Sequence, residues 1–156
     1  MRNIRYSIGE RLKDIRTYYG YTQKQIAHIL NISRSLYTHF ELNVKMITLQ
    51  HLVTLTNFYQ VSVDSLLALT EDYDKASEKI TLNANIISNN IKTIRKELKL
   101  STKDLAYKLN YGITTINDYE NKRYMVSTSY LYDLARYSSI SIDWMLGRNV
   151  KKYINK

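Results

Sequence analysis

The chain contains no cysteine and no proline, and only four of its 156 residues are glycine. Without cysteine, disulfides and thiolate metal sites are excluded, and a reducing compartment is permitted. No uninterrupted apolar run approaches the roughly 18 residues of a membrane span, and the first residues, MRNIRYSIGE, lack the apolar core of a signal peptide. We therefore expect a soluble, cytoplasmic protein that does not enter a membrane.

Patterns that carry catalysis or bind a metal are also missing. The few glycines form no phosphate-cradling motif, and no nucleophile has a plausible base at motif spacing. His28, His39 and His51 are 11 and 12 residues apart and have no flanking carboxylate pattern, which does not suit a metal site. We expect no enzyme activity, no metal and no cofactor.

Positive charge, in contrast, is abundant. The chain has 23 Lys and Arg residues against 14 Asp and Glu residues, a net charge of +9 and a pI near 9.6. Residues 1–78 hold nine basic residues against eight acids, and residues 79–156 hold fourteen against six, which gives +1 and +8. Such an excess favours a polyanionic partner, either nucleic acid or an anionic membrane face.

The sequence repeats itself once. A shift of 79 residues places Ala27 on Ala106 and Glu41 on Glu120, and it aligns VSVDSLL at 61–67 with ISIDWML at 140–146 without a gap. Two homologous units therefore span roughly 8–70 and 87–149. We predict a first domain at 1–70, a linker at 71–86, a second domain at 87–150 and a basic tail at 151–156.

Within each unit the apolar spacing is helical. Ile8, Leu12 and Ile15 form one stripe, and Ile87, Ile91 and Ile94 form its copy. Capping boxes are predicted at SIGE (7–10) and TQKQ (22–25), and Ser101 has Asp104 in the reciprocal position. Further N-caps are predicted at five residues, which gives about five short helices per unit: Ser33, Thr48, Ser62, Ser127 and Ser141.

The stretch TQKQIAHILNIS predicts a helix-turn-helix. An amphipathic helix carries the small Ala27 on its inner face, breaks at Asn31 and restarts at Ser33. Alanine permits a close approach of the two helices, while the outer face of the second helix stays polar. The same rhythm recurs at 101–120.

This pattern resembles the DNA-binding domain of the phage lambda repressor and Cro class, often called Xre-like. The residues that carry the resemblance are RTYYGYTQKQIAHILNISRSLYTHFE and VSVDSLL in the first unit, and RKELKLSTKDLAYKLNYGITTINDYENKR and ISIDWMLG in the second. It implies an all-α fold of two lambda-repressor-like helix-turn-helix domains, with about five helices each. The chain departs from the family at ELNVKMIT, where a Gly-containing basic loop is usual, and at Gly112, where Ser or Thr is usual.

The resemblance gives several residues a structural role. Arg16 and Glu41 are 25 positions apart, as are Arg95 and Glu120. In the family such a pair joins the first helix to the end of the recognition helix, which we favour over an arginine–phosphate contact. Trp144 falls where the fifth helix packs on the core or on a second subunit, and we favour the core. Four of the fifteen tyrosines are predicted to pack rather than to stack on bases: Tyr37, Tyr107, Tyr119 and Tyr137.

The resemblance also predicts a base-reading surface in the first unit. If the helix after Ser33 lies in a major groove, Arg34, Ser35, Thr38 and His39 meet base edges or flanking phosphates. Arg34 is the strongest candidate, because its fork can take guanine O6 and N7 together. Gln23 corresponds to the family's phosphate-contacting glutamine, and two nearby lysines supply nonspecific attraction: Lys24 and Lys45.

The matching surface of the second unit has a different chemistry. Its outward positions are Ile113, Thr114, Asn117 and Asp118, and Thr102 replaces the glutamine. Asn117 suits adenine, Thr114 suits a phosphate or a thymine methyl, and Asp118 repels the backbone unless it accepts from cytosine N4. Basic residues at the start of the second helix and in the loop after the third are predicted to contact the backbone: Lys103, Lys122 and Arg123.

Two functional classes remain open. The first is a sequence-specific regulator that binds double-stranded DNA, acting as a repressor of the phage or bacterial Xre type. The second is a protein-interaction module on the same scaffold, such as an antitoxin or an inhibitor of a nucleic-acid enzyme. A homodimer with an inverted-repeat operator is expected from the apolar segments VDSLLAL and IDWML, although burial in the core explains these segments nearly as well. A single chain acting as a pseudo-dimer would instead read an asymmetric site.

Overall fold

The described part of the chain folds into ten helices that divide into two compact units. The computed structural model describes residues 4–76 and 78–154, and its units are residues 1–78 (unit 1) and 79–156 (unit 2). Unit 1 contains α1 (Ile4–Tyr18), α2 (Gln23–Leu30), α3 (Arg34–Glu41), α4 (Leu49–Tyr59) and α5 (Val63–Leu66). Unit 2 contains α6 (Ala84–Glu97), α7 (Thr102–Leu109), α8 (Ile113–Glu120), α9 (Thr128–Ser138) and α10 (Ile142–Met145). The predicted all-α class is confirmed, because the described residues add only isolated β-bridges.

Helix starts follow the predicted caps. Thr22 accepts a hydrogen bond from the Gln25 backbone N–H, the Gln25 side chain returns a bond to the Thr22 backbone, and Ser101 with Asp104 repeats this capping box. The other predicted cap residues each accept a backbone N–H three residues on: Ser33, Thr48, Ser62, Ser127 and Ser141. Gly112 begins α8 without a side-chain cap. The short polar residues therefore set the boundaries of most helices.

The predicted start of the first helix is wrong. Helix α1 begins at Ile4, so Ser7 lies inside the helix and is not its N-cap. The apolar spacing already runs from Ile4 to Ile8 at i, i+4, which extends the helical pattern one turn upstream of the SIGE box.

Each unit has its own apolar core. In unit 1, Leu12, Ile15, Ile26 and Leu52 are fully buried, and in unit 2 the corresponding stripe of α6 is buried at Ile87, Ile91 and Ile94. The terminal helices α5 and α10 are buried as well: Val63, Leu66, Leu67, Ile142, Met145 and Leu146 are each at most 2% exposed. Trp144 is only half-buried, with the Lys152 ammonium 4.6 Å from its ring centroid.

The segments predicted as a linker (71–86) and a tail (151–156) are not free of the two units. Each contains a residue that pairs with a residue just before the last helix of its own unit, and we call these the closing segments. In unit 1, Val61 forms an antiparallel bridge with Lys75, supported by hydrogen bonds from Ser62 N to Asp74 O and from Ala76 N to Gln60 O. In unit 2, Ile140 bridges to Tyr153 in the same way. Helix α6 also begins three residues before the predicted start of the second domain, because Asn83 caps it by accepting from the N–H groups of residues 85 and 86.

The two closing segments are held by different chemistry at corresponding positions. In unit 1, the rings of Tyr18 and Tyr73 stack with centroids 6.4 Å apart. A shift of 79 residues turns this pair into Glu97 and Lys152, which form an ion pair at 2.6 Å. The same closure is thus made by an aromatic stack in one unit and by opposite charges in the other.

Candidate nucleic-acid interface

The helix-turn-helix of unit 1 is built by α2, a tight turn and α3. Asn31 ends α2 in the left-handed conformation, with φ at 54°, a conformation that asparagine tolerates better than most residues. Ser33 then starts α3 with its hydroxyl accepting from the Leu36 N–H. On the inner side, Ile26, Ala27 and Tyr37 are buried. This packing fixes α3, the predicted recognition helix, against α2.

A buried ion pair ties α1 to the end of α3, as the resemblance implied. Arg16 Nε donates to Glu41 Oε1 at 2.6 Å and Arg16 Nη2 donates to Glu41 Oε2 at 3.1 Å. Arg16 Nη1 also donates to the Tyr21 carbonyl at 2.9 Å, so the guanidinium fixes the α1–α2 loop as well. The Arg16 and Glu41 side chains are 11% and 3% exposed, which makes them a structural pair and not phosphate contacts.

Hydrogen bonds extend this pair to the protein surface. Gln23 Nε2 donates to Glu41 Oε2 at 2.9 Å, and the Thr38 hydroxyl donates to Gln23 Oε1 at 3.2 Å. The chain Arg16–Glu41–Gln23–Thr38, which we call the polar relay, thus connects two predicted DNA contacts with the core. The sequence predicted Gln23 and Thr38 as two separate DNA contacts. Only their spacing of 18 and 3 residues from Glu41 could have indicated that they bond to each other and to Glu41.

Glu41 is ionised within the polar relay. Burial alone acts to raise the pKa of Glu41, but hydrogen bonds from Arg16 and Gln23 and the positive charge of Arg16 outweigh burial and hold this pKa below its usual value. Hydrogen bonding to Glu41 in turn raises the pKa of Arg16. Both groups therefore stay charged at any pH near neutrality.

A cationic cleft lies beside the start of α2. It has a volume of about 510 Å³ and is lined by Arg16, Tyr21, Thr22, Gln23, Lys24 and Arg34. Lys24 and Arg34 are exposed, so the structure brings three predicted contacts of unit 1 together at one opening. Free N–H groups and the positive dipole end at a helix N-terminus also favour anions here.

The other predicted contacts of unit 1 lie on α3 and in the loop after it. We call the surface of α3 that carries Arg34, Ser35, Thr38 and His39 the reading face. Ser35 is exposed and Thr38 and His39 are half-buried on α3, at positions one turn apart. Lys45 is exposed in the loop after α3, where its backbone N–H bonds to the His39 carbonyl at 3.2 Å. Their role in DNA binding stays a prediction.

Unit 2 keeps the ion pair but loses the rest of the polar relay. Arg95 Nε donates to Glu120 Oε1 at 2.7 Å and Arg95 Nη2 donates to Glu120 Oε2 at 2.9 Å. Thr102 takes the place of Gln23, and its shorter side chain makes no hydrogen bond to Glu120 among the described residues. Asn117, at the position of Thr38, therefore has no partner equivalent to Gln23. The predicted contacts Thr102 and Asn117 are half-buried, and Lys103 and Thr114 are exposed.

Lys122 and Arg123, two of the residues of unit 2 predicted to contact the DNA backbone, bond to other side chains of the same unit. Arg123 Nη1 lies 3.2 Å from Asp118 Oδ1, with the arginine side chain 70% exposed and the aspartate side chain 15% exposed. Lys122 Nζ donates to Asn85 Oδ1 at 2.8 Å. The Asp118–Arg123 pair was not predicted. This pair neutralises the negative charge of Asp118 on α8, and it also engages Arg123, which was predicted to contact the DNA backbone.

Exposed apolar side chains lie on α7, at the start of α8 and in the loop after α8. Tyr107 is 89% exposed, Ile113 44%, Tyr124 65% and Met125 45%. The prediction that Tyr107 packs is therefore wrong: Leu105 and Ala106 turn inward on α7, and Tyr107 lies on the outer side of the same turn. Tyr37 is buried, Tyr119 is half-buried and Tyr137 is 42% exposed.

Other kinds of site are not found in the described part of the chain. Residues 4–76 and 78–154 contain no group of three or more His, Cys, Asp or Glu side chains that could hold a metal ion. Within the same ranges, the helices are too short or too polar to cross a bilayer.

Comparison with known proteins matches both units to helix-turn-helix families. A family described as "Helix-turn-helix domain" matches residues 9–71, and one described as "Helix-turn-helix" matches residues 91–145. The matches together cover more than half of the chain. No solved structure gave a significant match.

The curated relatives come from Bacillus subtilis strain 168. The HTH-type transcriptional regulator ImmR is 38% identical over 80 residues, which is 51% of this chain and 62% of the relative. The uncharacterized HTH-type transcriptional regulator YobD is 37% identical over 73 residues, 47% of this chain and 65% of the relative. The matches span less than two thirds of the length of these relatives. With a helix-turn-helix and a buried Arg–Glu pair in each of two matched units, the chain belongs to the helix-turn-helix family, of the lambda repressor (Xre) type.

Proposed function

We propose that the chain is a sequence-specific regulator of transcription that binds double-stranded DNA and represses by occupying an operator. The observation that carries this proposal is the arrangement at unit 1, where the cationic cleft and the polar relay meet at the start of the recognition helix. Arg34 and Lys24 are exposed there, while Gln23 and Thr38 are held in place by Glu41. Relatives named as HTH-type transcriptional regulators support the proposal.

The experiment is competition binding of Arg34→Ala against a selected DNA site and against random duplex. Loss of a bidentate guanine contact removes about 1–3 kcal/mol of discrimination, while the phosphate contacts persist. We expect the selected site to weaken about fivefold or more and random DNA to weaken much less. Lys13→Ala, a substitution at an exposed lysine of α1, is the matched control for lost charge. Equal losses on the two DNAs would reassign Arg34 to the backbone.

The symmetry of the operator depends on association. The apolar residues of VDSLLAL and IDWML on which the homodimer prediction rested are buried within their own units, apart from the half-buried Ala68, Leu69 and Trp144. We therefore propose that one chain reads an asymmetric site through two different recognition helices. Solution mass combined with a footprint of the selected site tests this, and a dimer on an inverted repeat would overturn it.

A second candidate function belongs to unit 2. The exposed Tyr107, Ile113, Tyr124 and Met125 are better suited to a protein surface than to phosphates. We propose protein interaction as the alternative role of this face. A tight protein complex that forms without any dependence on DNA would favour it, whereas salt-dependent and sequence-dependent DNA binding favours the first function.

A further inference from the structure

The buried Arg16–Glu41 pair determines which group donates and which accepts in every hydrogen bond of the polar relay. Arg16 can only donate, and ionised Glu41 can only accept. Glu41 Oε2 lies 2.9 Å from the Gln23 amide and 3.1 Å from Arg16 Nη2. Because a carboxylate cannot donate, Gln23 has to turn its NH₂ group toward Glu41, and its carbonyl oxygen Oε1 then points to Thr38.

The hydroxyl of Thr38 is consequently used as a donor. Its oxygen lies 3.2 Å from Gln23 Oε1 and 2.9 Å from the Arg34 carbonyl one helical turn back. Both neighbours are carbonyl oxygens, which can only accept. Whichever of them takes the hydroxyl hydrogen, that hydrogen is directed into the protein, and the lone pairs of the oxygen are left for an external donor.

We propose that Thr38 reads an exocyclic amino group, adenine N6 or cytosine N4, through this oxygen. The inference rests on the proposed function, with α3 in the major groove. In that groove adenine N6 and cytosine N4 are the donors, whereas guanine O6 and N7 and thymine O4 are acceptors, which an oxygen without a free hydrogen cannot bind. Thr38 is half-buried on α3, one turn after Arg34, so a recognition helix that places Arg34 on one base pair turns Thr38 toward a neighbouring one.

Gln23 receives a complementary role from the same geometry. One of its two amide hydrogens is taken by Glu41, and the second is left to donate outward, which suits a phosphate oxygen and not a base amino group. Glu41 is therefore a positioning residue: it contacts no DNA but sets which atoms Gln23 and Thr38 present.

Unit 2 shows what happens without the relay. Asn117 occupies the position of Thr38, and among the described residues its side-chain amide has no hydrogen-bond partner that fixes its orientation. An amide free to rotate can present either its oxygen or its NH₂ group. We expect unit 2 to discriminate less between amino and keto bases at this position than unit 1 does.

The experiment uses the full chain and two sets of DNA. Sites are first selected with the wild type and with Thr38→Val, which keeps the volume but removes the hydroxyl; the base pair whose preference relaxes faces Thr38. In that pair, the amino base is then replaced by an analogue without the amino group, purine for adenine or 2-pyrimidinone for cytosine. The wild type should lose about threefold to tenfold in affinity, the net value of one hydrogen bond between neutral groups. Thr38→Val should lose less than about twofold.

Two further variants separate the effect of the Thr38 hydroxyl from other effects of substitution. Thr38→Ser retains the hydroxyl and should keep the sensitivity of the wild type to the missing amino group. Thr54→Val removes a hydroxyl from α4 that also bonds one turn back, to the Gln50 carbonyl, and it should behave as the wild type. Melting temperatures establish that each variant is folded.

The possible failures are distinct. A wild type that selects no DNA sequence overturns the proposed function and the inference with it. A wild type that selects a site but is insensitive to removal of the amino group overturns only the inference. So does a site at which Thr38→Val is as sensitive as the wild type, because the amino group would then be read by another residue.

Discussion

Removal of the Glu41 carboxylate should destabilise unit 1 selectively. In Glu41→Ala the Arg16 guanidinium loses both of its carboxylate bonds while it stays largely buried, and among the described residues it keeps only the Tyr21 carbonyl as an acceptor. Gln23 also loses its acceptor. Breaking a buried ion pair by removing one partner costs about 3–5 kcal/mol. A domain of this size is stable by about 4–12 kcal/mol, so the substitution removes a large part of its stability.

The single tryptophan makes the two units separately observable. Trp144 lies in unit 2, so its fluorescence follows unit 2, whereas circular dichroism at 222 nm, the usual helix signal, follows the helices of both units. In urea, Glu41→Ala should lower the midpoint of a circular-dichroism transition by at least about 1 M, from a slope of about 1–3 kcal/mol per M. The Trp144 transition should stay at its wild-type midpoint.

Matched variants complete the experiment. Glu120→Ala removes the corresponding carboxylate of unit 2 and should lower the Trp144 midpoint instead. Glu10→Ala changes an exposed glutamate of α1 and should leave both midpoints within error. A Glu41→Ala protein whose circular-dichroism midpoints equal those of the wild type would refute the reasoning, because the ion pair would then contribute nothing to stability.

Three further substitutions test single features of the structure. Gly9→Ala should destabilise unit 1 by about 1–3 kcal/mol in a urea titration, because its Cβ would overlap the carbonyl oxygen of Glu41. Gly112→Ser should raise the urea midpoint of the Trp144 transition, since it supplies the missing cap of α8 and removes glycine's backbone entropy, together worth about 0.5–1 kcal/mol. Asp118→Asn frees Arg123 and removes one negative charge, so affinity for random duplex should rise about fivefold at low salt; unchanged affinity would indicate that this face does not approach DNA.

Local sequence signals predicted most of the fold. The caps at Ser33, Thr48 and Ser127 lie where a hydroxyl can reach the backbone N–H three residues on, a rule that needs no knowledge of the tertiary structure. The 79-residue repeat then allowed each unit to support the interpretation of the other. Several features escaped this reasoning, including the bridges made by the predicted linker and tail and the early start of α6. Helix α1 begins before its expected cap, and the side of α7 on which Tyr107 lies depends on how the helix is rotated by its packing.

The site was predicted as a set of residues but not as a network. Arg34 and Lys24 are exposed where the resemblance placed them, since a helix surface follows directly from the helix register. The bond from Gln23 to Glu41 joins residues on two helices, and it depends on an approach of α2 to α3 that the sequence does not specify to within an ångström. The Asp118–Arg123 pair similarly depends on the path of the loop after α8.

The closing contacts of the two units indicate how a duplicated domain can change its chemistry gradually. Tyr18–Tyr73 and Glu97–Lys152 occupy equivalent positions, and no single substitution converts one pair into the other. If lysine replaces the second tyrosine first, the intermediate is a tyrosine facing an ammonium group, which is an attractive cation–π contact. If glutamate replaces the first tyrosine first, the carboxylate faces the negative side of a ring. A stepwise change that passes through lysine therefore keeps an attractive contact between the two positions, and in unit 2 the Lys152 ammonium also lies over the ring of Trp144.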